Sequence, residues 1–418
     1  MAGFAVPFLL VPPMTQAVVA YVRRTARESA DRGSDKAGNM RIAVVGAGIL
    51  GASAAYHLAR AGAEVTIIDA AREGRATAAG AGIVCPWVGA LDDPAFYALY
   101  ERGARYYPGL LAALAECGAE DTGYARVGAL FVSADEGELE AVERLARQRA
   151  AAAPEAGEVC RLSAREARTL FPPLHEGLKA VRVAGGARVD GRRMRAALLG
   201  AAARLGAVMR EGEAALLAAE GRVSGVRLGG ETLDTEAVVL AAGAWAPSLL
   251  APLGKKLAIA PQRGQIAHLL LPGAESGAWP VILPAGSHYL LAFEGSRVVV
   301  GATREDAGFD YRVTARGVAE VLAEALRIAP GLANATLVET RIGFRPVGPG
   351  HVPMLGLVPD LAGLVIGNGL GAVGLTIGPY AGRLLAALAL GKAPEMDLSP
   401  FAPAWGEAGL AGAYPVLR

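Results

Sequence analysis

Two kinds of apolar run alternate along this chain. Short unbroken ones, Ile42 to Val45, the stretch closing on Asp69, and Ala237 to Leu240, read as strands covered on both faces, as parallel strands are. Longer stretches repeat their apolar residues at helical spacing: from Gly51 to Gly62, Pro94 to about Cys117, Glu136 to Ala153, Arg192 to Leu205 with Gly206 as its stop, and Val318 to Ala329. Ser163 and Glu166 supply the N-cap and following acid of a further helix, which Pro172 and Pro173 end. Strand-like segments fill the rest: Ala125 to Val132, Ala207 to Arg210, Gly221 to Leu228, Thr232 to Thr235, Gln265 to Leu271, Tyr289 to Phe293 and Arg297 to Val300. Gly229-Gly230 predicts a hairpin turn between two of them.

The first two unbroken runs enclose Gly46-Ala47-Gly48-Ile49-Leu50-Gly51 and the helical segment behind it, which makes a βαβ unit suited to a dinucleotide. Gly46 allows a tight exit from the strand, Gly48 lets the backbone approach a pyrophosphate, and Gly51 lets the helix lie close on the sheet. The helix N-terminus offers its unpaired N–H groups and positive dipole end to the phosphates. Asp69, 18 residues beyond Gly51, is placed to accept hydrogen bonds from a ribose diol. The motif alone leaves FAD and NAD both open.

Three later stretches share the small-residue character of that turn. Gly74 to Val84 carries Ala79, Gly80, Ala81 and Gly82, which suit close backbone approach to a flat ligand, although a surface loop would read the same way. The Ala237–Leu240 run ends in Ala241-Ala242-Gly243-Ala244-Trp245, returning the chain to the crevice where ligands collect at strand carboxyl ends. Leu364 to Pro379 reads strand, glycine turn, helix, with Pro379 suited to the first helical turn and Gly391 to the stop.

Composition narrows the function classes. With 418 residues, 53% apolar and 19% charged, two domains are the natural prior. A net charge of +1 without a long basic run argues against nucleic acid as a partner. Cys85, Cys117 and Cys160 form no CxxC pair and suggest a reducing, cytoplasmic compartment; the five histidines are scattered, so no metal site is expected. Phe4 to Val22 carries no charge but is interrupted by Pro7, Pro12 and Pro13. Residues 1–39 therefore read either as an unstructured extension ahead of Met40 or as a single membrane anchor, with peripheral association at the inner face of the membrane left open.

Taken in order, GAGILG, AAGAW, PQRGQ, GATRED and FRP…PMLG followed by GLGAVGLTIGP resemble the D-amino acid oxidase family of FAD flavoproteins, nearest in flavour to D-amino acid dehydrogenases and glycine oxidases. The resemblance covers about residues 40–392 and implies FAD, held non-covalently since the cysteine of the covalent branch has no counterpart. It also implies an α/β fold: a discontinuous FAD-binding Rossmann-like domain (40–90, 155–255 and 335–395) with an inserted α+β substrate domain (91–154 and 256–334) built on an antiparallel sheet, and a tail over 396–418. The implied chemistry is hydride transfer from the carbon next to the nitrogen of a small D-amino acid or glycine, giving an imino acid that hydrolyses to a keto acid and ammonia. Secondary amine or imino acid oxidation, and a flavin-binding subunit without turnover, are the alternatives. Oxygen and a quinone are both open as acceptor, and the oligomeric state is not legible.

By the same resemblance Arg345 holds the substrate carboxylate, for which a planar guanidinium fork is suited. Tyr289 matches a tyrosine lining the substrate pocket, and Arg304 and Arg341 are lesser candidates for the same charge. Gly371, Ala372, Val373, Gly374, Leu375 and Thr376 fall beside the flavin pyrimidine ring, where backbone N–H groups and a helix N-terminus stabilise negative charge. Leu370 stands where the family often has His.

Overall fold

A computed structural model describes residues 40–89 and 91–407. The extension over 1–39 and the end of the expected tail lie outside the described residues.

The unbroken apolar runs pair with one another. In a six-stranded sheet the order is Met354–Leu357, Leu364–Asn368, Ala237–Leu240, Arg41–Val45, Glu64–Asp69, Val208–Glu211. The first pair is antiparallel and the other four pairings are parallel. Arg41–Val45 and Ala237–Leu240 take the middle places, and their side chains from Ile42 and from Ala237 onward are buried, which is why neither alternates. Register places Val45 beside both Leu240 and Ile68, and Leu240 beside Ile366, so the strands reach their carboxyl ends in one row.

Helices Ile49–Arg60 and Gly374–Ala389 pack against each other beneath that row. Their approach is close: a Cβ on Gly382 would stand 2.6 Å from the Ser53 Cβ, and the Ser53 hydroxyl donates to the Pro379 carbonyl at 2.6 Å. Helix Pro94–Glu116 crosses Gly374–Ala389 at Gly103, where a Cβ would lie 2.7 Å from the Thr376 carbonyl. Gly371–Ala389 is long and apolar enough to cross a membrane, yet it is a mostly buried core element.

Pro379 differs from expectation by one turn: it lies in the second turn of Gly374–Ala389. Having no N–H, it leaves the carbonyl of Leu375, four residues back, without its helical donor. The buried hydroxyl of Tyr107, on the crossing helix, donates to that carbonyl instead.

A meander of Ala214–Ala219, Arg222–Leu228 and Glu231–Asp234 packs on the opposite face of the six-stranded sheet, with Gly229-Gly230 in the predicted hairpin. The third large unit is an eight-stranded sheet in the order Thr336–Val347, Ala260–Leu270, Arg297–Gly301, Tyr289–Phe293, Val281–Pro284, Ala129–Ser133, Lys179–Val183, Val159–Leu162. It is antiparallel except where Val281–Pro284 pairs parallel with Ala129–Ser133.

The expected boundaries shift accordingly. Val159–Leu162 and Lys179–Val183, within the 155–255 segment assigned to the first domain, pair in the eight-stranded sheet, and so does Thr336–Val347 from the 335–395 segment. Lys179–Val183 is five residues between proline and glycine turns, too short to declare itself except by its partner Ala129–Ser133. Conversely, Pro94–Glu116, from the 91–154 segment, packs on the Gly374–Ala389 helix. The strand predicted over Ala125 to Val132 is confined to Ala129–Ser133, because Gly128 turns at φ +83°.

Tyr107→Phe is expected to destabilise the protein by about 1–3 kcal/mol in chemical denaturation, since it strands a buried carbonyl that Pro379 already deprives of its helical donor. Unchanged stability would show that the carbonyl finds another donor.

Candidate active site

The carboxyl ends of the parallel strands open into a cavity of about 2020 Å³, including its mouth, which extends across to the inner face of the eight-stranded sheet. Val45, Gly46, Ile68, Asp69, Ala241, Ala242 and Gly367 line one end, and Ile266, Leu283, Tyr289, Arg304 and Arg345 the other.

At the first end the chain leaves its strand through Gly46 at φ +100°, where a Cβ would stand 2.5 Å from the Ala241 carbonyl oxygen. Gly51 does not line the cavity. A Cβ there would lie 1.8 Å from the Gly46 carbonyl oxygen, so its service is to seat the helix on the strand exit. Gly48, Ile49 and Leu50 do line the cavity, and no side chain caps the helix at Gly48. The Ile49 N–H is engaged by the Thr77 hydroxyl at 2.9 Å. Asp69 is buried, and its Oδ2 accepts from the Ala47 N–H at 2.6 Å while Oδ1 accepts from the Ala71 N–H at 2.8 Å and from Arg75 Nη1 at 3.3 Å. The carboxylate thus braces the glycine turn, and it keeps further lone-pair sites toward the cavity.

Ala79, Gly80, Ala81 and Gly82 form part of the wall between the two ends. Packing demands their small size: a Cβ on Gly82 would come 1.8 Å from the Val189 carbonyl oxygen, and one on Gly80 would come 2.9 Å from a Leu375 methyl. Ala242, Gly243 and Trp245 continue the wall, and Trp245 stacks on Phe309 at 5.3 Å between centroids.

Asn368 joins two turns that the chain separates widely. Its Nδ2 donates to the Gly243 carbonyl at 2.9 Å and its Oδ1 accepts from the Gly369 N–H at 2.8 Å. The turn then passes Leu370 and Gly371, at φ +52°, through Ala372 and Val373 into the uncapped N-terminus of Gly374–Ala389. Leu370 to Leu375 line the cavity, whereas Thr376 is fully buried with its hydroxyl donating to the Ile83 carbonyl at 2.7 Å. It therefore belongs to the support of the wall. An uncapped helix start facing a cavity, two glycine turns and a buried carboxylate form a site that fits a dinucleotide with a charged ring at its far end.

On the other sheet Arg345 projects from Thr336–Val347, and its Nη1 donates to the Thr303 carbonyl at 3.1 Å. Among the described residues no carboxylate forms an ion pair with it. The Tyr289 ring lies against Gly301, where a Cβ would meet its hydroxyl at 2.9 Å. Burial raises the Tyr289 pKa, opposed by the nearby charges of Arg345 and Arg304. Of the two lesser candidates, Arg304 lines the cavity, while Arg341 does not and binds Glu339 with Nε–Oε1 at 2.8 Å. Cys85 also lines the cavity, with its thiol pushed up to about 12 by burial, so it is a neutral wall group. Thr77, Arg75 and Asn368 escape sequence reading; Asn368 alone had a signal, being a polar residue between a buried strand and a glycine turn.

Comparison with known proteins places this geometry. A family model described as FAD dependent oxidoreductase, DAO, matches residues 41–388. The chain is 49% identical over 363 residues to the oxidoreductase YurR of Bacillus subtilis (strain 168), covering 86% of this chain and 98% of that one. It is 31% identical to a glycine oxidase of Pseudomonas aeruginosa, covering 87% of this chain and 98% of the relative. Among solved structures, iminodiacetate oxidase from Chelativorans sp. BNC1 superposes with a TM-score of 0.85 at 53% identity, covering 87% of this chain and 99% of that one. The chain therefore belongs to the DAO family of FAD-dependent oxidoreductases.

Proposed function

We propose that this protein oxidises the carbon–nitrogen bond of a small amine that carries carboxylates, with a secondary amine bearing two of them favoured over glycine or a simple D-amino acid. The observation that carries the reading is the presence of two guanidinium groups, Arg345 and Arg304, in the wall of one cavity beside Tyr289. Similarity to an iminodiacetate oxidase supports it, since iminodiacetate is such an amine. One carboxylate falls to Arg345, whose fork matches it with two hydrogen bonds, and the second falls to Arg304.

FAD, when bound, supplies the acceptor for the hydride that leaves the carbon next to nitrogen. Gly48, Ile49, Leu50 and Asp69 would hold its adenosine end, and the turn from Gly371 to Leu375 its ring. What the chain itself does is bind and orient the amine. Ile266, Leu283 and Leu370 give the cavity apolar walls that exclude water, and Tyr289, whose pKa burial raises further, offers a neutral hydroxyl as a donor. Among the described residues no histidine lines the cavity, and the carboxylates that do, Asp69 and Glu213, lie at the adenosine end. With Leu370 in place of a histidine, the substrate end has no carboxylate or imidazole among the described residues, so the amine enters without its proton.

That last point fixes a pH dependence. kcat/KM is expected to rise with pH and to level off at the pKa of the substrate's own amine, moving when the substrate is changed. A break that stays at one pH for amines of different basicity would reveal a protein base.

Anaerobic bleaching of the flavin absorbance by iminodiacetate, sarcosine, glycine, D-alanine and proline tests the substrate class, and readmission of air separates oxygen from a quinone as acceptor. Iminodiacetate is expected to bleach fastest; faster reduction by glycine or D-alanine would overturn the dicarboxylate reading. Arg345→Met is expected to lower kcat/KM for every carboxylate substrate by roughly 2–4 kcal/mol equivalent. Arg304→Met is expected to cost iminodiacetate about 1–3 kcal/mol more than sarcosine, which has one carboxylate fewer. Equal losses for the two substrates would remove Arg304 from the second subsite.

A further inference from the structure

Gly264 lies on strand Ala260–Leu270, opposite Gly343 in the pairing with Thr336–Val347. Its φ is outside the left-handed region, so its backbone could carry any residue. What a side chain there would do is displace Arg345: a Cβ would stand 2.6 Å from both Nη1 and Nη2 of Arg345 and 2.7 Å from its Cζ. The guanidinium therefore rests on the bare Cα of Gly264.

Its direction is set by a second contact. Arg345 Nη1 donates to the carbonyl of Thr303 at 3.1 Å, and Thr303 is fully buried. The Thr303 hydroxyl accepts from the Gln265 N–H at 2.9 Å and donates to Glu305 Oε1 at 2.6 Å. Glu305 Oε1 also accepts from Gln265 Nε2 at 2.8 Å, and Oε2 accepts from Arg263 Nη2 at 2.6 Å. Arg263 and Gln265 are themselves buried, and alternation along the strand puts them on the face opposite Gly264. One strand thus gives Arg345 a seat on one face and, on the other, a polar network that fixes the peptide accepting its hydrogen bond.

We propose that Gly264 is a specificity-determining residue and that Thr303, braced by Glu305 and Arg263, is a positioning residue: together they set the direction of the Arg345 guanidinium and hence the recognition of the substrate carboxylate. The inference rests on the reading of Arg345 as carboxylate anchor. A guanidinium seated on one face and held by one donor has lost the rotation that a bidentate contact would otherwise have to freeze, and its remaining donors face one way. A methyl group at 264 lifts the plane off its seat. Loss of the Thr303 hydroxyl releases the carbonyl that aims it.

The test uses the FAD-loaded enzyme and titrates acetate, a carboxylate without an amine, by the perturbation of flavin absorbance, alongside steady-state kinetics with sarcosine. Gly264→Ala is expected to raise the acetate Kd and the sarcosine KM tenfold or more, with kcat within threefold of the parent and the ligand-free flavin spectrum unchanged. Thr303→Val is expected to raise both constants at least threefold, and Thr303→Ser, which keeps the hydroxyl, to restore them. Should Gly264→Ala fail to fold, the Thr303 pair decides on the same criterion. Acetate Kd values within twofold of the parent in the folded variants overturn the proposal, as does a fall in kcat with KM unchanged. Arg345→Met is measured in parallel: if it too leaves acetate binding unchanged, the carboxylate reading of the cavity fails, and if it alone weakens binding, only the positioning inference does.

Discussion

The Gly46 carbonyl oxygen stands 1.8 Å from the place a Cβ would occupy on Gly51, and a Cβ on Gly46 would in turn stand 2.5 Å from the Ala241 carbonyl oxygen. Strand exit, helix start and neighbouring strand end are therefore in backbone contact, with no side chain to separate them. Every other part of the cavity depends on that contact. It lets the first helix begin directly against the sheet, which leaves its first turn, with the Ile49 amide held by the Thr77 hydroxyl, facing the space outside the strand ends. It also fixes the depth at which the partner helix Gly374–Ala389 packs, since the two helices meet across Ser53 and Gly382.

Around this close-packed base, each turn of the wall is held by one polar side chain. Asp69 holds the Ala47 and Ala71 amides, Thr77 the Ile49 amide, Asn368 the Gly243 and Gly369 turns, and Tyr107 the Leu375 carbonyl. A single hydrogen bond of this kind contributes only about 0.5–1.5 kcal/mol net, but leaving a buried partner unmade costs more. Their combined effect is to pre-form a cavity whose polar groups are already aimed, so that binding need not order the wall. Arg345 is held by the same logic on the opposite sheet, through the Thr303 carbonyl.

The sequence displays those parts of this design that depend on residue type at fixed spacing. The βαβ unit is legible because Gly46, Gly51 and Asp69 each occupy a position that backbone contact or hydrogen bonding demands, while Gly48 keeps the cavity wall bare. The buried strands Arg41–Val45 and Ala237–Leu240 are legible because central parallel strands need no polar face. Lys179–Val183 is not, since five residues ending at a glycine pair acquire meaning only from a partner some 50 residues earlier. Nor do periodicity and motif spacing separate Thr376, a support residue, from Leu375, a wall residue; the Thr376 hydroxyl is tied to the Ile83 carbonyl, a contact that no local pattern announces. Polar braces such as Thr77 hide in the same way, because a threonine among alanines and glycines carries no period.

The placement of strand Leu364–Asn368 has a consequence for the order in which the protein can be made. It pairs with Ala237–Leu240, which in turn pairs with Arg41–Val45, and Asn368 then ties the last glycine turn to Gly243. The βαβ unit, made early, thus waits for about 300 residues before its crevice gains a far wall. Until that strand arrives, the inner edge of the sheet and the face meant for helix Gly374–Ala389 are open to wrong partners. The lining of the crevice is complete only once residues 367–375 have been made. In this molecule the floor of the crevice is laid early and its far wall late.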